Sequence, residues 1–315
     1  MAFAQQAVGD STFGTRVWTF GGVTRESPLT YSNQLWSLSV SNAQWSLSTA
    51  TGAPLAAVGS AMCAVGNKLY YFGGLTMAGG VESELYTFDT NLGQWAVPGP
   101  LGIGVLGTLP SGRAYHAMAC ANGRAYMFGG QDATSSTLGD FHALDAATMA
   151  WVPAGPHGSA PTARKGHTLT HSGERLYLFG GTSSSGEKLN DVYSLNLNTL
   201  QWRALQTSGD RPTAREGHTA VVLDESLFVF AGVDRYHQRN DVHALSLASL
   251  RWSQPKTAGK NAPDARWGHL GALANEHLYI YGGVGTLSGA ASGLRSQALR
   301  DDVWVMSTKC AGTAT

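Results

Sequence analysis

The sequence has little charge, little cysteine and no long apolar run. Only 13% of its 315 residues are charged, and Lys plus Arg equals Asp plus Glu at 21 each. This neutrality gives no electrostatic reason to expect nucleic acid or an acidic membrane surface as a partner. No stretch approaches the roughly 20 apolar residues that span a bilayer, and the N-terminus lacks the basic and apolar regions of a secretory signal. We therefore expect a cytoplasmic or nuclear protein with no membrane insertion.

Cysteine is represented by Cys63, Cys120 and Cys310 alone. Their number is odd, and their spacing is neither a C-x-x-C motif nor a disulfide ladder. The pattern predicts buried thiols in a reducing compartment.

Against this background one segment recurs six times: an aromatic residue, any residue, a second aromatic residue and a small pair that is nearly always Gly-Gly. The first residues of these pairs are Gly21, Gly73, Gly129, Gly180, Ala231 and Gly282, separated by 52, 56, 51, 51 and 51 residues. So regular a period indicates one supersecondary unit copied along the chain, and the six copies must form a single array. Two aromatics separated by two positions lie on the same face of a strand.

Three further strands complete each unit, and we name the four in chain order a, b, c and d. Strand a begins with Arg-x-x-His in the last four units; strand b ends at the glycine pair; strand c enters through a residue such as Asp191 or Asp241; strand d carries a tryptophan in the first five units. No helical periodicity is present. Four short strands that are apolar on both faces must pack against a neighbour on each side, and the closed solution is a propeller.

The Gly-Gly pair, the Asp-Val-Tyr entry of strand c and the tryptophan about 22 residues after the glycines together resemble the kelch repeat. The resemblance covers roughly residues 5 to 308. It implies an all-β, six-bladed propeller of four-stranded antiparallel blades forming one domain over residues 1–315. The expected blades are approximately 5–48, 57–98, 113–154, 164–205, 215–255 and 266–313.

The sequence leaves two ways for the ring to close. Only four residues precede strand a of blade one, so no spare N-terminal strand is at hand, and the tail after Ser307 makes a poor strand d for blade six. Closure then depends either on this tail or on face-to-face packing of blades one and six.

Antiparallel geometry places the b–c and d–a loops on one side of the ring, which we call the loop face. These loops are long and variable, as is typical of binding surfaces on rigid scaffolds. Arginines concentrate there, at positions 25, 113, 164, 215, 235, 239, 266, 295 and 300. Guanidinium groups suit carboxylate or phosphate, and Arg, Tyr and Trp are frequent interface anchors. The predicted partner-binding residues are Arg113, Tyr115, Arg164, Arg215, Arg235, Tyr236, His237, Arg239, Arg266 and Trp267.

A structural interpretation competes for four of these arginines. Arg113, Arg164, Arg215 and Arg266 recur with blade symmetry, as do the aspartates that open strand c, so an ion pair within each blade accounts for both. The segment from Arg235 to Arg239 does not recur and is the better candidate for specific recognition. The resemblance makes an acidic peptide plausible there, because some kelch proteins bind acidic peptides on this face.

The histidines of Arg-x-x-His are expected to make structural hydrogen bonds, since symmetry-related positions around a ring lie too far apart to share one metal ion. No Walker loop, hydrolase elbow or H-E-x-x-H motif occurs. We predict no catalytic residue, metal or cofactor, and a monomeric, non-enzymatic module that binds a protein segment within a complex. Two alternatives stay open: a small anionic ligand or enzyme site at the mouth of the central channel, and a scaffold that docks by its blade edges.

Overall fold

The computed structural model describes residues 16–26, 28–98, 106–152, 154–255, 263–286 and 297–307. Throughout these ranges the secondary structure is β and no helix occurs. None of the described elements is therefore a helix that could cross a membrane. The strands form the six-bladed propeller that the repeat predicts, with one sheet or pair of sheets for each unit.

The blades have the following strand bounds. Blade one has Arg16–Phe20, Val23–Glu26, Leu29–Tyr31, Leu35–Ser39 and Gln44–Leu47. Blade two has Ala57–Val58, Ala61–Val65, Lys68–Phe72, Leu75–Thr76, Leu85–Asp89 and Gln94–Ala96. Blade three has Ala117–Ala121, Arg124–Gln131, Thr137–Asp145 and Ala150–Val152. Blade four has Arg164–Lys165, Thr168–Ser172, Arg175–Ser183, Lys188–Asn196 and Gln201–Leu205.

Blade five has Thr219–Leu223, Ser226–Val233, Gln238–Ser246 and Arg251–Ser253. Blade six has Arg266–Trp267, Leu270–Ala274, His277–Tyr281, Val284–Thr286, Gln297–Leu299 and Val303–Ser307. Strand a of blade one and the tail after Ser307 lie outside the described residues. Within each complete blade the chain passes antiparallel from strand a to strand d.

A fifth, parallel strand closes the outer edge of blades three, four and five. Leu106–Gly107, His157–Gly158 and Ser208–Gly209, which come from the connection before each blade, pair with strand d of that blade. Gly158 has φ of +87°, and a Cβ there would lie 2.5 Å from the carbonyl oxygen of Trp202. Only glycine fits so close an approach, and the added strand covers backbone groups that would otherwise form an open sheet edge.

The core consists of apolar layers between neighbouring blades. The aromatic residues of strand b and the tryptophan of strand d supply much of it; Trp202 and Trp252, for example, are 1% exposed. Phe128 of blade three packs edge-on against Trp202 of blade four, with ring centroids 5.8 Å apart. Each blade therefore buries the face of its predecessor, which explains why the units require an array.

Ring closure occurs by face-to-face packing of blades one and six. Val17 and Leu38 of blade one form a buried cluster with Ala272 and Ala274 of blade six. Trp45 and Tyr281 add a ring contact with centroids 5.0 Å apart. Of the two closures left open by the sequence, this one is present in the described chain.

The cysteine prediction is wrong for two residues. Cys63 and Cys120 form a disulfide that joins strand a of blade two to strand a of blade three. The pairing was not predicted because the two cysteines are 57 residues apart. They belong to two repeats that pack face to face, so no local motif marks the pair. Cys310 lies outside the described residues.

Candidate functional site

The loop face carries the start of strand a and the end of strand b from each blade. Ala114 bridges to Gln131, and Glu216 bridges to Val233. Arg164 is paired with Ser183. The d–a and b–c loops therefore meet at the same end of the blades, around the mouth of the central channel.

The four symmetric arginines are buried structural groups. Arg113, Arg164, Arg215 and Arg266 are 0% exposed, and each forms a bidentate ion pair with the aspartate that opens strand c of its own blade. In blade five the Nη1 and Nη2 atoms of Arg215 donate to Asp241 at 2.6 and 2.9 Å. Nη1 also donates to the carbonyl oxygen of Ala231 at 2.9 Å, and Nε to that of Thr213 at 3.0 Å. The expected ion pair is thus present in blades three to six.

This pairing shifts the carboxyl groups. Burial of Asp140 and Asp241 opposes ionisation, but hydrogen bonds and charge from Arg113 and Arg215 outweigh it and hold both pKa values well below the ordinary range. The guanidinium N–H groups of these four arginines already donate to the aspartate and to backbone carbonyls. They are therefore not available to hydrogen-bond a partner. Arg113, Arg164, Arg215 and Arg266 are therefore not among the exposed cations of the loop face.

The four histidines of Arg-x-x-His line the central channel and are 5–6% exposed. Each ring packs edge-on against the phenylalanine of the preceding strand b, as His218 does on Phe179 at 5.0 Å. Burial, followed by the charge of the neighbouring arginine, lowers the pKa of His116 and His269 to about 3. Among the residues that the structure describes, no three His, Cys, Asp or Glu side chains lie together as a metal site.

A belt of backbone hydrogen bonds crosses the blades at the channel mouth. The amide of Tyr115 donates to Gly59, Gly166 donates to Tyr115, Gly217 to Gly166 and Gly268 to Gly217, at 2.5, 2.8, 3.0 and 2.8 Å. All five residues have positive φ, between 60° and 69°. Tyr115 is the one member of this belt that is not glycine.

Trp267 and Tyr115, two of the predicted aromatic anchors, are buried or partly buried near the mouth of the central channel. Trp267 is 8% exposed and packs in a cluster with Val23, Val58 and Val284. Tyr115 is partly buried, and burial, followed by the charges of Tyr31 and Glu216, raises the pKa of its hydroxyl to about 12. Tyr115 also lines the central channel.

The non-recurring segment of blade five lies in a different setting. Arg235, Tyr236 and Arg239 line an open cleft of about 790 Å³ together with Ser185, Glu187 and Lys188 from the b–c loop of blade four. Tyr236 is 73% exposed, the highest value among the large apolar side chains described. The Arg235 guanidinium lies 5.6 Å from the centre of its ring. His237 is exposed beside them.

Asp234 fixes the shape of this loop. Its carboxylate accepts hydrogen bonds from the amides of Tyr236 and His237 at 2.8 and 2.7 Å, and from Nε of Arg239 at 2.6 Å. Burial opposes ionisation of Asp234, but these backbone and side-chain donors outweigh it and lower the pKa to about 2. The Asp234 carboxylate, which stays ionised at physiological pH, therefore restrains the conformation of this loop.

The cations of the cleft differ in their partners. Arg239 is paired with Asp234, and Lys188 with Glu216, which also accepts from Thr182 at 2.6 Å. Across the described part of the chain, no carboxylate lies within ion-pair distance of Arg235. The structure therefore brings together the predicted residues Arg235, Tyr236, His237 and Arg239. Asp234, Lys188 and Glu216 were not predicted, because their roles depend on contacts between loops.

Comparison with known proteins agrees with this architecture. The family model described as the KLHDC2/KLHL20/DRC7 Kelch-repeats domain matches residues 6–171 and 151–311, nearly the whole chain. The chain belongs to the kelch-repeat family. Host cell factor 2 from Homo sapiens is 30% identical over 252 residues, covering 73% of this chain and 31% of that protein. Acyl-CoA-binding domain-containing protein 5 from Arabidopsis thaliana is 32% identical over 168 residues, covering 53% of this chain and 25% of that protein. This kelch chain thus spans about a quarter to a third of these relatives.

Proposed function

We propose that this kelch propeller is a non-enzymatic protein-interaction module, and that a segment of the partner binds in the cleft between the b–c loops of blades four and five. The observation that carries the proposal is the pair Arg235 and Tyr236, exposed on a loop that Asp234 holds rigid. A rigid aromatic residue beside an arginine is the kind of group that dominates binding energy at protein interfaces.

The same geometry suggests what the partner presents. The other two cations of the cleft, Arg239 and Lys188, are paired with Asp234 and Glu216, whereas Arg235 has no carboxylate partner among the described residues. A carboxylate of the partner can therefore pair with Arg235. Tyr236 offers an apolar ring with a polar tip, which suits an apolar side chain next to the acidic residue. A short acidic segment with one apolar residue fits both requirements.

The structure gives less support to the alternative of an enzyme or small-ligand site at the channel mouth. It depended on Arg164, Arg215 and Arg266 as an open ring of cations, and these are the arginines that are buried and bonded to aspartate. The disulfide also bears on the expected compartment: structural disulfides persist mainly in oxidising compartments, so the Cys63–Cys120 bond weighs against a location that is constantly reducing.

The test is affinity capture with four proteins: wild type, Arg235→Glu, Tyr236→Ala and the control Arg203→Glu. Arg203 is exposed on strand d of blade four, away from the loop face, so the control makes the same charge change elsewhere. We expect both cleft variants to weaken the affinity for the captured partner at least tenfold, about 1.4 kcal/mol, while the control binds as wild type. Equal affinity in all four proteins would contradict the proposal.

A further inference from the structure

The junction between blades two and three differs from the junction between blades four and five. At blades four and five the inner strands meet through hydrogen bonds: Thr168 Oγ1 lies 3.1 Å from Nε2 of His218, and Thr170 Oγ1 donates to Ala220 at 3.1 Å. At blades two and three the corresponding strands, Ala61–Val65 and Ala117–Ala121, are joined by the disulfide between Cys63 and Cys120.

The same junction holds the one bulky residue of the backbone belt. Tyr115 has φ of +60°, a region that costs a side chain of this size about 1–3 kcal/mol. Its ring contacts Gly59, where a Cβ would come within 2.5 Å of the ring atom Cδ1. At the next three junctions glycine occupies this position without strain. The junction with the strained residue is therefore the one with the covalent bond.

A small pocket on the loop face spans this junction. Leu75 and Val81 line it from blade two, and Tyr115, Gln131 and Asp132 from blade three. Any separation of the two blades would change its walls and release Tyr115 from Gly59. The two strands that the disulfide joins therefore lead directly to this pocket on the loop face.

We propose that the Cys63–Cys120 disulfide is a redox-sensitive bond that holds Tyr115 against Gly59 and fixes the shape of the small pocket between blades two and three. A dithiol reductant of the thioredoxin class transfers two electrons and two protons to the bond: both protein sulfurs become thiols, and the reductant becomes a disulfide. The loosened junction then lets Tyr115 leave its left-handed conformation. This role of the bond does not depend on the identity of the partner or on the cleft at blades four and five.

The test compares hydrogen exchange and thermal stability of the full chain with and without dithiothreitol. Four proteins are used: wild type, Cys63→Ser, Cys63→Ser/Cys120→Ser and Cys310→Ser as the matched control. In wild type and the control, we expect reduction to lower Tm by about 5–10 °C and to speed exchange of the Tyr115 and Gly166 amides at least tenfold. Cys63→Ser and Cys63→Ser/Cys120→Ser should have the lower Tm and the faster amide exchange without reductant, and dithiothreitol should change neither.

Three results would overturn this role of the bond. The first is two free thiols at positions 63 and 120 in protein prepared without reductant, measured by mass after alkylation. The second is an unchanged exchange rate at Tyr115 and Gly166 despite complete reduction of the bond. The third is an equal response of the double cysteine variant to dithiothreitol. Binding through the cleft is measured separately with Arg235→Glu, so either proposal can fail while the other stands.

Discussion

Breaking one buried ion pair should cost far more stability than breaking a surface pair of the same charge type. In blade five, Asp241→Asn removes the only anion that faces the Arg215 guanidinium among the described residues, while Arg215 keeps its contacts with the carbonyls of Ala231 and Thr213. Arg215 is 0% exposed and the Asp241 side chain 21% exposed, so water can compensate little. Leaving such a charge uncompensated costs about 3–5 kcal/mol.

The measurement is urea denaturation followed by tryptophan fluorescence, with Arg124→Gln as the control. The Arg124–Asp145 pair is longer, at 3.7 Å, and the Arg124 side chain is 45% exposed, so we expect its loss to cost less than about 1 kcal/mol. The double variant Arg215→Met/Asp241→Leu should recover much of the Asp241→Asn loss, because it removes both charges together. A cost for Asp241→Asn as small as that of Arg124→Gln would refute the structural role assigned to these arginines.

Three further changes test the fold. Ala231 takes the place of the first glycine of its pair at φ of +56°; Ala231→Gly should therefore raise the free energy of unfolding by about 1 kcal/mol, and a loss measured in urea would contradict this. Gly158→Ala should destabilise by about 2 kcal/mol or more, because its Cβ would meet the carbonyl of Trp202, whereas Gly155→Ala, with no atom within 4 Å of its Cβ, should be nearly neutral. Stability should also fall with acid: burial lowers the pKa of the channel histidines, so the unfolded chain binds more protons below its histidine pKa near 6.5. Each should then contribute a slope of about 1.4 kcal/mol per pH unit below that value, and His218→Asn should reduce the slope measured by urea titrations from pH 7 to 5.

The sequence was sufficient for the architecture because the repeat is local and regular. Six aromatic-x-aromatic segments with their glycine pairs predict the strands, their order and the propeller. The ion pair within blades three to six was also foreseeable, since an Arg-x-x-His arginine and an aspartate at the start of strand c recur in these four units. What recurs with the blade can be inferred from alignment of the chain with itself.

Two features were not predicted: the Cys63–Cys120 disulfide and the fifth strand of blades three to five. The disulfide joins two repeats at positions that are offset by one residue within strand a, so alignment of the repeats does not bring Cys63 and Cys120 together. The fifth strand was missed although a signal existed: Gly158 and Gly209 each follow a strand d tryptophan by seven residues. Tyr115 likewise stands where Gly166 and Gly217 stand in the next two Arg-x-x-His segments, which marks a position with positive φ.

The cleft was predicted in part. Arg235 to Arg239 stood out because the segment does not recur, and the structure places its exposed side chains together on the loop face. The restraint by Asp234 and the contribution of Lys188 from blade four could not be inferred, since loop conformation sets which of the neighbouring charges become paired.

The central claim, that a protein partner binds the loop face at the cleft, is tested most directly by photocrosslinking from single positions. A photoreactive phenylalanine analogue at position 236 and, as the matched control, at position 92 compares two side chains of similar exposure, 73% and 69%. Leu92 lies in the c–d turn of blade two, on the opposite face. We predict that position 236 crosslinks to one partner protein and position 92 does not. A partner that crosslinks from position 92 and not from position 236 would contradict the account.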